Sequence, residues 1–255
     1  MSPPRTRIPI RIRTADTTPV TAAPGANAQG PMQLIRLLHL ASPALPIGAF
    51  HFSQGLEFAV ETGWVNDEAS ALEWIGGIAA ASLGTLDLPV LLRLHAAWKQ
   101  HDVSGVLQWN SFLVACRETE ELRAEDRHLG AAMLRVLSEM ELTTDLFSAN
   151  ASKSVIGVSH ATAFAFACAR WDIDPHAAMQ TFAWAWIENQ VLAAVKLVPL
   201  GQSAAQRMLH RLTARIPPLV EQAHKLTDSD VGISTALNAV ASGRHEIQYS
   251  RLFRS

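Results

Sequence analysis

Apolar residues recur at spacings of three, four and seven along most of the chain, which is the period of an α-helix. In the stretch MQLIRLLHLA, for example, Leu34, Leu37, Leu38 and Ala41 share one helical face. Strand patterns are almost absent: there is one tyrosine, no Asn-Gly hairpin turn and no sustained alternation of period two. The pattern predicts an all-α fold, a single globular, bundle-like domain of about ten helices.

Capping residues and helix breakers predict where many helices begin and end. Asn66 or Asp67 is expected to cap one helix and Gly84 to end it, because asparagine and aspartate favour N-caps and glycine favours the position after a helix. Asp87 and Pro89 are expected to open the next helix, since proline is tolerated in a first turn. Later helices are predicted over residues 103–116, 119–140, 154–169, 175–197 and 203–215, with shorter ones ending near residues 225 and 243.

The two ends of the chain differ from its helical middle. Residues 1–31 are rich in Pro, Thr, Ala and Arg and carry almost no large apolar side chains after Ile12. Such a segment cannot bury enough surface to offset its ordering entropy, so we predict a disordered N-terminal tail. A transit peptide is disfavoured, because the prolines preclude a long amphipathic helix. The all-α domain is placed at residues 32–243 and a C-terminal docking tail at residues 244–255.

Charge, cysteine content and hydropathy disfavour several classes of protein. A net charge of −2 gives no basic excess for binding nucleic acid. Cys116 and Cys168 lie far apart, so no disulfide framework is indicated and a cytoplasmic location is expected. No stretch reaches the roughly 18 to 20 uninterrupted apolar residues of a membrane span. The nearest, residues 154–169, is interpreted as a buried core helix, with a membrane-peripheral helix as the alternative.

Sequence motifs for chemistry are missing. There is no G-x-x-x-x-G-K-[ST], G-x-G-x-x-G or G-x-S-x-G, and none of the ten histidines forms H-x-x-x-H or H-E-x-x-H. His245, beside Glu246, is the histidine that looks most exposed and most suited to transient metal contact. The acidic run at residues 117–128 alternates with arginines, which is typical of a solvated helix face. We expect no catalytic residue and no tightly bound cofactor; the alternative is a helical metal-binding protein or enzyme with scattered histidine ligands.

Two features near the C-terminal end are unusual for a plain helical domain. Lys196 ends a nearly apolar helix, where it either snorkels at the helix end or faces an acidic partner. The tail EIQYSRLFRS combines aromatic and arginine side chains, the types that carry interface energy. We interpret it as a docking segment with Tyr249 and Phe253 as anchors and Arg251 and Arg254 beside them. Packing of the tail on its own domain is the alternative.

The stretch LASPALPIGAFHFSQGLEFAVETGWV, residues 40–65, is an unusually apolar loop followed by a helix. Loops normally face water, so this one is a candidate ligand pocket, catalytic loop or interaction surface. No nucleophile in it is paired with a recognisable base, which disfavours catalysis. Ser53 is a candidate N-cap for the helix. The phenylalanines are expected to hold the loop against the core and an interface together, with His51 at the rim.

Three segments resemble the urease accessory protein UreF family. They are SPALPIGAFHFSQGLE in this loop, NQVLAAVKLVPLGQ around Lys196, and the terminal YSRLFRS, and the resemblance spans about Met32 to Ser255. The chain departs from the family pattern at Ala49, often glycine, and at Phe50 or Phe52, where the family has tyrosine. The signature-loop positions that match are Pro43, Pro46, Gly48, Ser53, Gly55 and Glu57.

The resemblance implies a non-enzymatic urease maturation factor. Proteins of this type are all-α homodimers that join a UreD/UreH-type accessory protein, recruit the GTPase UreG and deliver nickel to the urease apoprotein. Nickel would be handled transiently by that complex. The resemblance also implies that Lys196 contacts the GTPase. It further implies that the C-terminal tail becomes ordered on binding the UreD/UreH-type partner, with Tyr249 and Arg251 in that contact or in the dimer.

Overall fold

In a computed structural model, residues 30–148, 157–232 and 236–255 are described, and these form an all-α domain without strands. The predicted N-terminal tail lies outside the described residues except for its last two positions, and Pro31 already begins the first helix. The helices are α1 Pro31–Leu40, α2 Leu56–Glu61, α3 Glu68–Ile78, α4 Leu88–Lys99, α5 Val103–Ala115, α6 Glu120–Glu139, α7 Asp145–Ser148, α8 His160–Arg170, α9 Pro175–Leu197, α10 Gln202–Thr213, α11 Ile216–Lys225 and α12 Ala236–His245.

The helix that begins at Asp67 does not end at Gly84, contrary to the sequence prediction. A π-helical segment, Ala79–Asp87, joins α3 to α4 without a break, and Pro89 lies in the first turn of α4. Proline cannot donate to the carbonyl four residues before it. Here that carbonyl, on Thr85, accepts a hydrogen bond from the Gly232 N–H at 3.1 Å. A hydrogen bond from a distant loop therefore replaces the one that Pro89 cannot make.

Helix α8 lies in the core of the fold. Residues 161–169 of this helix are all buried, and the helix packs against α4 and α6. Most of its side chains are small, which lets neighbouring backbones approach closely. The helix begins at His160 and not near residue 154, because Ser159 caps it through its hydroxyl and the Thr162 N–H. Residues 154–156 of the predicted helix lie outside the described part.

The apolar face predicted for α1 differs from the one that is buried. Leu37 and Leu40 are buried, whereas Leu34 and Leu38 are exposed. Helix α1 packs against α9. Helical spacing is compatible with burial of either leucine pair. The pair that is buried is Leu37 and Leu40, on a helix that packs against α9.

One continuous helical stretch, Glu68–Lys99, is long and apolar enough to cross a membrane by length and composition. Within its most apolar window 67% is buried inside the fold, as in a core helix of a protein domain. This stretch could not be recognised from the sequence, because Gly84 and Pro89 predicted two separate helices within it.

Candidate functional site

The signature loop between α1 and α2 packs inward with its aliphatic side chains. Leu45, Ile47 and Phe52 are buried, while Pro43 and Pro46 are exposed. The loop thus contributes to the core directly, and its prolines stiffen the outward positions.

Two glycines of this loop adopt backbone conformations that other residues rarely take. Gly48 has φ +81° and Gly55 has φ +84°. A Cβ atom at Gly55 would also lie 2.9 Å from the backbone nitrogen of Ser242, in α12. Gly55 is therefore needed both for the turn and for the close approach of α12.

Ser53 does not occupy the N-cap position of α2, which Gly55 holds. The Ser53 hydroxyl accepts a hydrogen bond from the Glu57 N–H at 3.3 Å and donates one to the Ser255 backbone oxygen at 2.6 Å. The predicted cap is replaced by a link between the helix start and the C-terminal tail.

The tail folds back onto its own domain in a seat formed by the signature loop, α2 and α6. The N–H groups of Leu252 and Phe253 donate to the two carboxylate oxygens of Glu57 at 2.6 and 2.8 Å. The Arg254 N–H donates to the His51 carbonyl at 2.8 Å. Backbone hydrogen bonds on both sides therefore hold residues 252–254 in place.

The last residue of the tail is fully enclosed by the same seat. The backbone N–H groups of Ser53 and Gln54 donate to the Ser255 oxygen at 2.7 and 3.0 Å. The Ser255 hydroxyl donates to Glu125 in α6 at 2.7 Å. A buried serine whose backbone oxygen and hydroxyl are both hydrogen-bonded stabilises the docked tail.

The four tail residues singled out in the sequence have different environments. Phe253 is buried in its own domain, so its ring is not available as an anchor for another protein in this conformation. Tyr249 is fully exposed. Arg251 donates to Glu121 at 2.5 Å, and Arg254 is exposed. Packing on the domain, the alternative left open by the sequence, describes Phe253, while Tyr249 projects into solvent.

His245 is buried, although the sequence made it the most exposed-looking candidate among the ten histidines. Its Nδ1 lies 2.7 Å from a Glu121 oxygen and its Nε2 lies 3.2 Å from a Glu57 oxygen. Helix α12 continues past Gly243 to His245 and presents this side chain to α2 and α6. Both ring nitrogens therefore face carboxylates inside the protein.

Lys196 lies where the signature loop and the tail meet. It is in the last turn of α9, where a cation suits the helix dipole. Its exposed ammonium lies 5.7 Å from the ring centre of Phe50 and 5.6 Å from that of Phe253. Both distances fit cation–π contacts. The fold thus brings together three regions that are distant in the sequence.

The acidic run at residues 117–128 is only partly the solvated face that the sequence predicted. Glu120 conforms, since it pairs with Arg123 and Arg127 at the surface. Arg117 and Asp126 do not: they are largely buried and paired at 3.1 Å. Arg117 also pairs at 2.5 Å with Asp87, a residue from the π-helical segment. This partner, distant in sequence, makes burial of the charges possible.

Burial changes the proton affinity of two groups beneath the signature loop. Loss of hydration raises the pKa of Glu125 to about 7, although hydrogen bonds from Gln54 and Ser255 act against it. Loss of hydration lowers the pKa of His160 to about 4. Both residues line a cavity of about 120 Å³ that also reaches the exposed Phe50 and Leu192.

No metal centre is present among the residues that the structure describes. Within these ranges no group of three or more His, Cys, Asp or Glu side chains has an arrangement that could hold a metal ion. The cavity beneath the loop therefore offers acidic groups and space, without a ready-made ligand set.

Fold and site together define an all-α protein that presents a composite surface of loop, helix end and tail, a form suited to contacts with other proteins. The chain belongs to the UreF family of urease accessory proteins. The family model matches residues 65–213. The resemblance noted in the sequence is confirmed.

Several urease accessory proteins named UreF are similar to this chain over most of their length. That of Azoarcus sp. (strain BH72) is 46% identical over 89% of this chain and 98% of the relative. That of Teredinibacter turnerae is 46% identical over 88% and 99%. That of Alkalilimnicola ehrlichii is 44% identical over 86% and 95%. These alignments extend well beyond the segment of the family model.

The carboxylates of α2 and α6 that hold the tail in its seat were not recognised as such from the sequence. Glu57 was noted only as part of the loop pattern, and Glu121 only as part of a solvated acidic run. One signal was available: Glu57 is a lone acid in the otherwise apolar stretch GLEFAV, where a carboxylate needs internal hydrogen bonds. Its partners could not be found from spacing, because they lie more than 60 residues away.

Proposed function

We propose that this chain is a non-enzymatic urease maturation factor of the cytoplasm that acts as a scaffold during nickel insertion into urease. The supporting observation is the composite surface on which Lys196, the signature loop and the tail meet. The similarity of the chain to urease accessory proteins named UreF supports the same proposed function. Nickel is the cargo of the assembled complex, handled transiently and not kept as a resident cofactor.

The UreD/UreH-type partner is proposed to dock on the C-terminal segment. The outer face of α12 and the tail carry exposed apolar side chains close together in sequence, and such groups are seldom clustered on a surface without a partner. Tyr249 is fully exposed, and aromatic residues of this kind anchor protein interfaces. The exposed set consists of Leu237, Val240, Ile247, Tyr249 and Leu252.

The UreG-type GTPase is proposed to contact Lys196. The ammonium is exposed and is held in place by two aromatic rings, so it presents a fixed positive charge to a partner. The remaining proposals are a homodimer in solution and contact of the assembled complex with the urease apoprotein.

Docking of the UreD/UreH-type partner is tested by affinity capture after co-expression. The double substitution Ile247→Asp and Tyr249→Asp changes two exposed side chains, so we expect unchanged folding and loss of capture. Val103→Asp serves as the control, since Val103 is an exposed apolar residue on α5, away from the tail. Removal of residues 246–255 is expected to abolish capture too while the helices remain. Undiminished capture by the double variant would refute the docking site.

The role of Lys196 is tested by charge reversal. Lys196→Glu is expected to leave the fold intact and to reduce both GTPase recruitment and urease activation in cells. Lys225→Glu, at the end of α11, makes the same charge change on another exposed lysine and is expected to have no effect. Urease activation that stays normal with Lys196→Glu contradicts the assignment.

The scaffold proposal also predicts the metal content of the isolated protein. We expect no stoichiometric metal after purification, since nickel is passed on by the complex. One tightly bound zinc, iron or nickel ion per chain would instead favour a helical metalloprotein.

A further inference from the structure

The Glu57 side chain is nearly inaccessible to solvent and lies at the centre of the tail seat. One carboxylate oxygen accepts the Leu252 N–H, and the other accepts the Phe253 N–H. The second oxygen also lies 3.2 Å from Nε2 of His245. A buried carboxylate of this kind is stabilised only if its charge is compensated by donors or by a cation.

His245 faces a second carboxylate on its other side. Its Nδ1 lies 2.7 Å from Glu121, which also accepts a hydrogen bond from Arg251. Glu246 completes the set of charged groups here, because its carboxylate accepts the Glu121 backbone N–H at 3.0 Å. The buried histidine is thus surrounded by Glu57 of α2, Glu121 of α6, and Arg251 and Glu246 of the tail.

The hydrogen-bond inventory determines the form of the ring that fits this site. Where both carboxylates are ionised, they can only accept hydrogen bonds, and both ring nitrogens of His245 then donate. A histidine that donates from both nitrogens is an imidazolium cation. Such a cation neutralises part of the negative charge of Glu57 and Glu121, and charge-assisted bonds are stronger than neutral ones.

We propose that His245 is a positively charged lock on the C-terminal tail, a positioning residue that bridges Glu57 and Glu121 and so holds the tail in its seat. The bridge keeps the Glu57 carboxylate aimed at the two backbone N–H groups of the tail. It also fixes Glu121, which holds Arg251. Tyr249 lies between His245 and Arg251, so the bridge sets how this side chain is presented.

The inference deepens the proposed function, because the tail is the proposed docking site for the UreD/UreH-type partner. It is nevertheless a property of the chain alone and is measured without any partner. Failure of the lock would therefore be seen in the free protein, whereas failure of the docking proposal would be seen only in partner capture.

The test is amide hydrogen exchange of the full chain, followed at Leu252 and Phe253. His245→Phe keeps a ring of similar volume and removes both donors, and His245→Gln keeps one donor without the positive charge. We expect both amides to exchange about 10- to 100-fold faster in either variant, the range of a lost charge-assisted hydrogen bond. Arg244→Gln is the control, since Arg244 is the exposed neighbour on the same helix.

Several outcomes would overturn the lock. One is equal protection of the two amides in wild type and His245→Phe, which would leave the ring as a space filler. Another is an unprotected tail in the wild-type chain. Circular dichroism checks that each variant is folded. If His245→Phe does not fold, the exchange rates of the His245→Gln variant provide the test. Nitrogen NMR of the wild-type ring at neutral pH provides a direct readout: two protonated ring nitrogens support the lock, and a neutral ring contradicts it.

Discussion

Glu125 is a residue of α6 whose charge is strongly affected by burial in the fold. Its pKa of about 7, against an ordinary value of 4.5, means that the folded protein keeps a proton that the unfolded chain releases. Stability therefore falls as the pH rises from about 4.5 to 7, because the folded state binds more protons over this window. His160 acts in the opposite direction: stability is lost as the pH falls from 6.5 towards 4.

Replacing Glu125 by glutamine is expected to remove the first of these effects. At pH 8 Glu125→Gln should be more stable than wild type by on the order of 2 kcal/mol, because the neutral amide avoids the cost of burying a charge. At pH 4.5 the two proteins should be nearly equal. The measurement is the free energy of unfolding in urea at both pH values, and His160 contributes equally to both proteins.

The matched control for this prediction is Glu120→Gln. Glu120 lies on the same helix but at the surface, where Arg123 and Arg127 hold its pKa below its usual value. Its substitution should not give any gain in stability at high pH. A stability difference between Glu125→Gln and wild type that does not change with pH would contradict the raised pKa.

For single residues, the sequence showed which side chains are charged but not which of them are buried. All members of the acidic run at residues 117–128 were predicted to face solvent. Burial of Arg117 and Asp126 depends on Asp87, and the surroundings of Glu125 depend on Gln54 and Ser255. Each partner comes from another part of the chain, so local spacing held no information about it.

Helix α6 and the segment that leads into α8 are in unusually close contact. A Cβ atom added at Gly130 would lie 2.1 Å from the Val158 carbonyl oxygen and 2.7 Å from the backbone of Ser159. These are backbone atoms at the start of a buried helix, so they cannot move without disturbing its cap. The glycine thus determines how closely these two elements pack.

Gly130→Ala is accordingly expected to destabilise the protein by about 1–3 kcal/mol, the usual cost of overpacking a tight interior. Gly77→Ala provides the comparison, because Gly77 in α3 has nothing within 4 Å of an added Cβ. That substitution should stabilise the helix by about 0.5–1 kcal/mol, since alanine favours the helical backbone. Thermal unfolding of the two variants should therefore shift in opposite directions, and a shift in the same direction would contradict the close contact.

The positions of most helices could be predicted, because caps and apolar periods act locally. Helix α9 spans the predicted residues 175–197, and α5 and α6 end within a residue or two of their predicted ends. The join between α3 and α4 could not be predicted. It depends on a π-helical segment and on the Gly232 N–H, which reaches the Thr85 carbonyl from a loop nearly 150 residues later in the sequence.

For the whole molecule, the main result of folding is that the loop, Lys196 and the tail form one surface. The resemblance to the UreF family already pointed to each of the three. Their meeting around two aromatic rings appears only in three dimensions, as does the seat that encloses Ser255. A change at any of the three regions is therefore expected to affect the other two.

The account depends most on the claim that this surface serves urease maturation. The direct measurement is the nickel content of urease after co-expression of its apoprotein with UreD/UreH-type and UreG-type proteins. We predict nickel-loaded urease when the wild-type chain is present. We predict little nickel when the chain is omitted, or when it carries Lys196→Glu or the Ile247→Asp and Tyr249→Asp pair. Urease that contains as much nickel without this chain as with it would contradict the account.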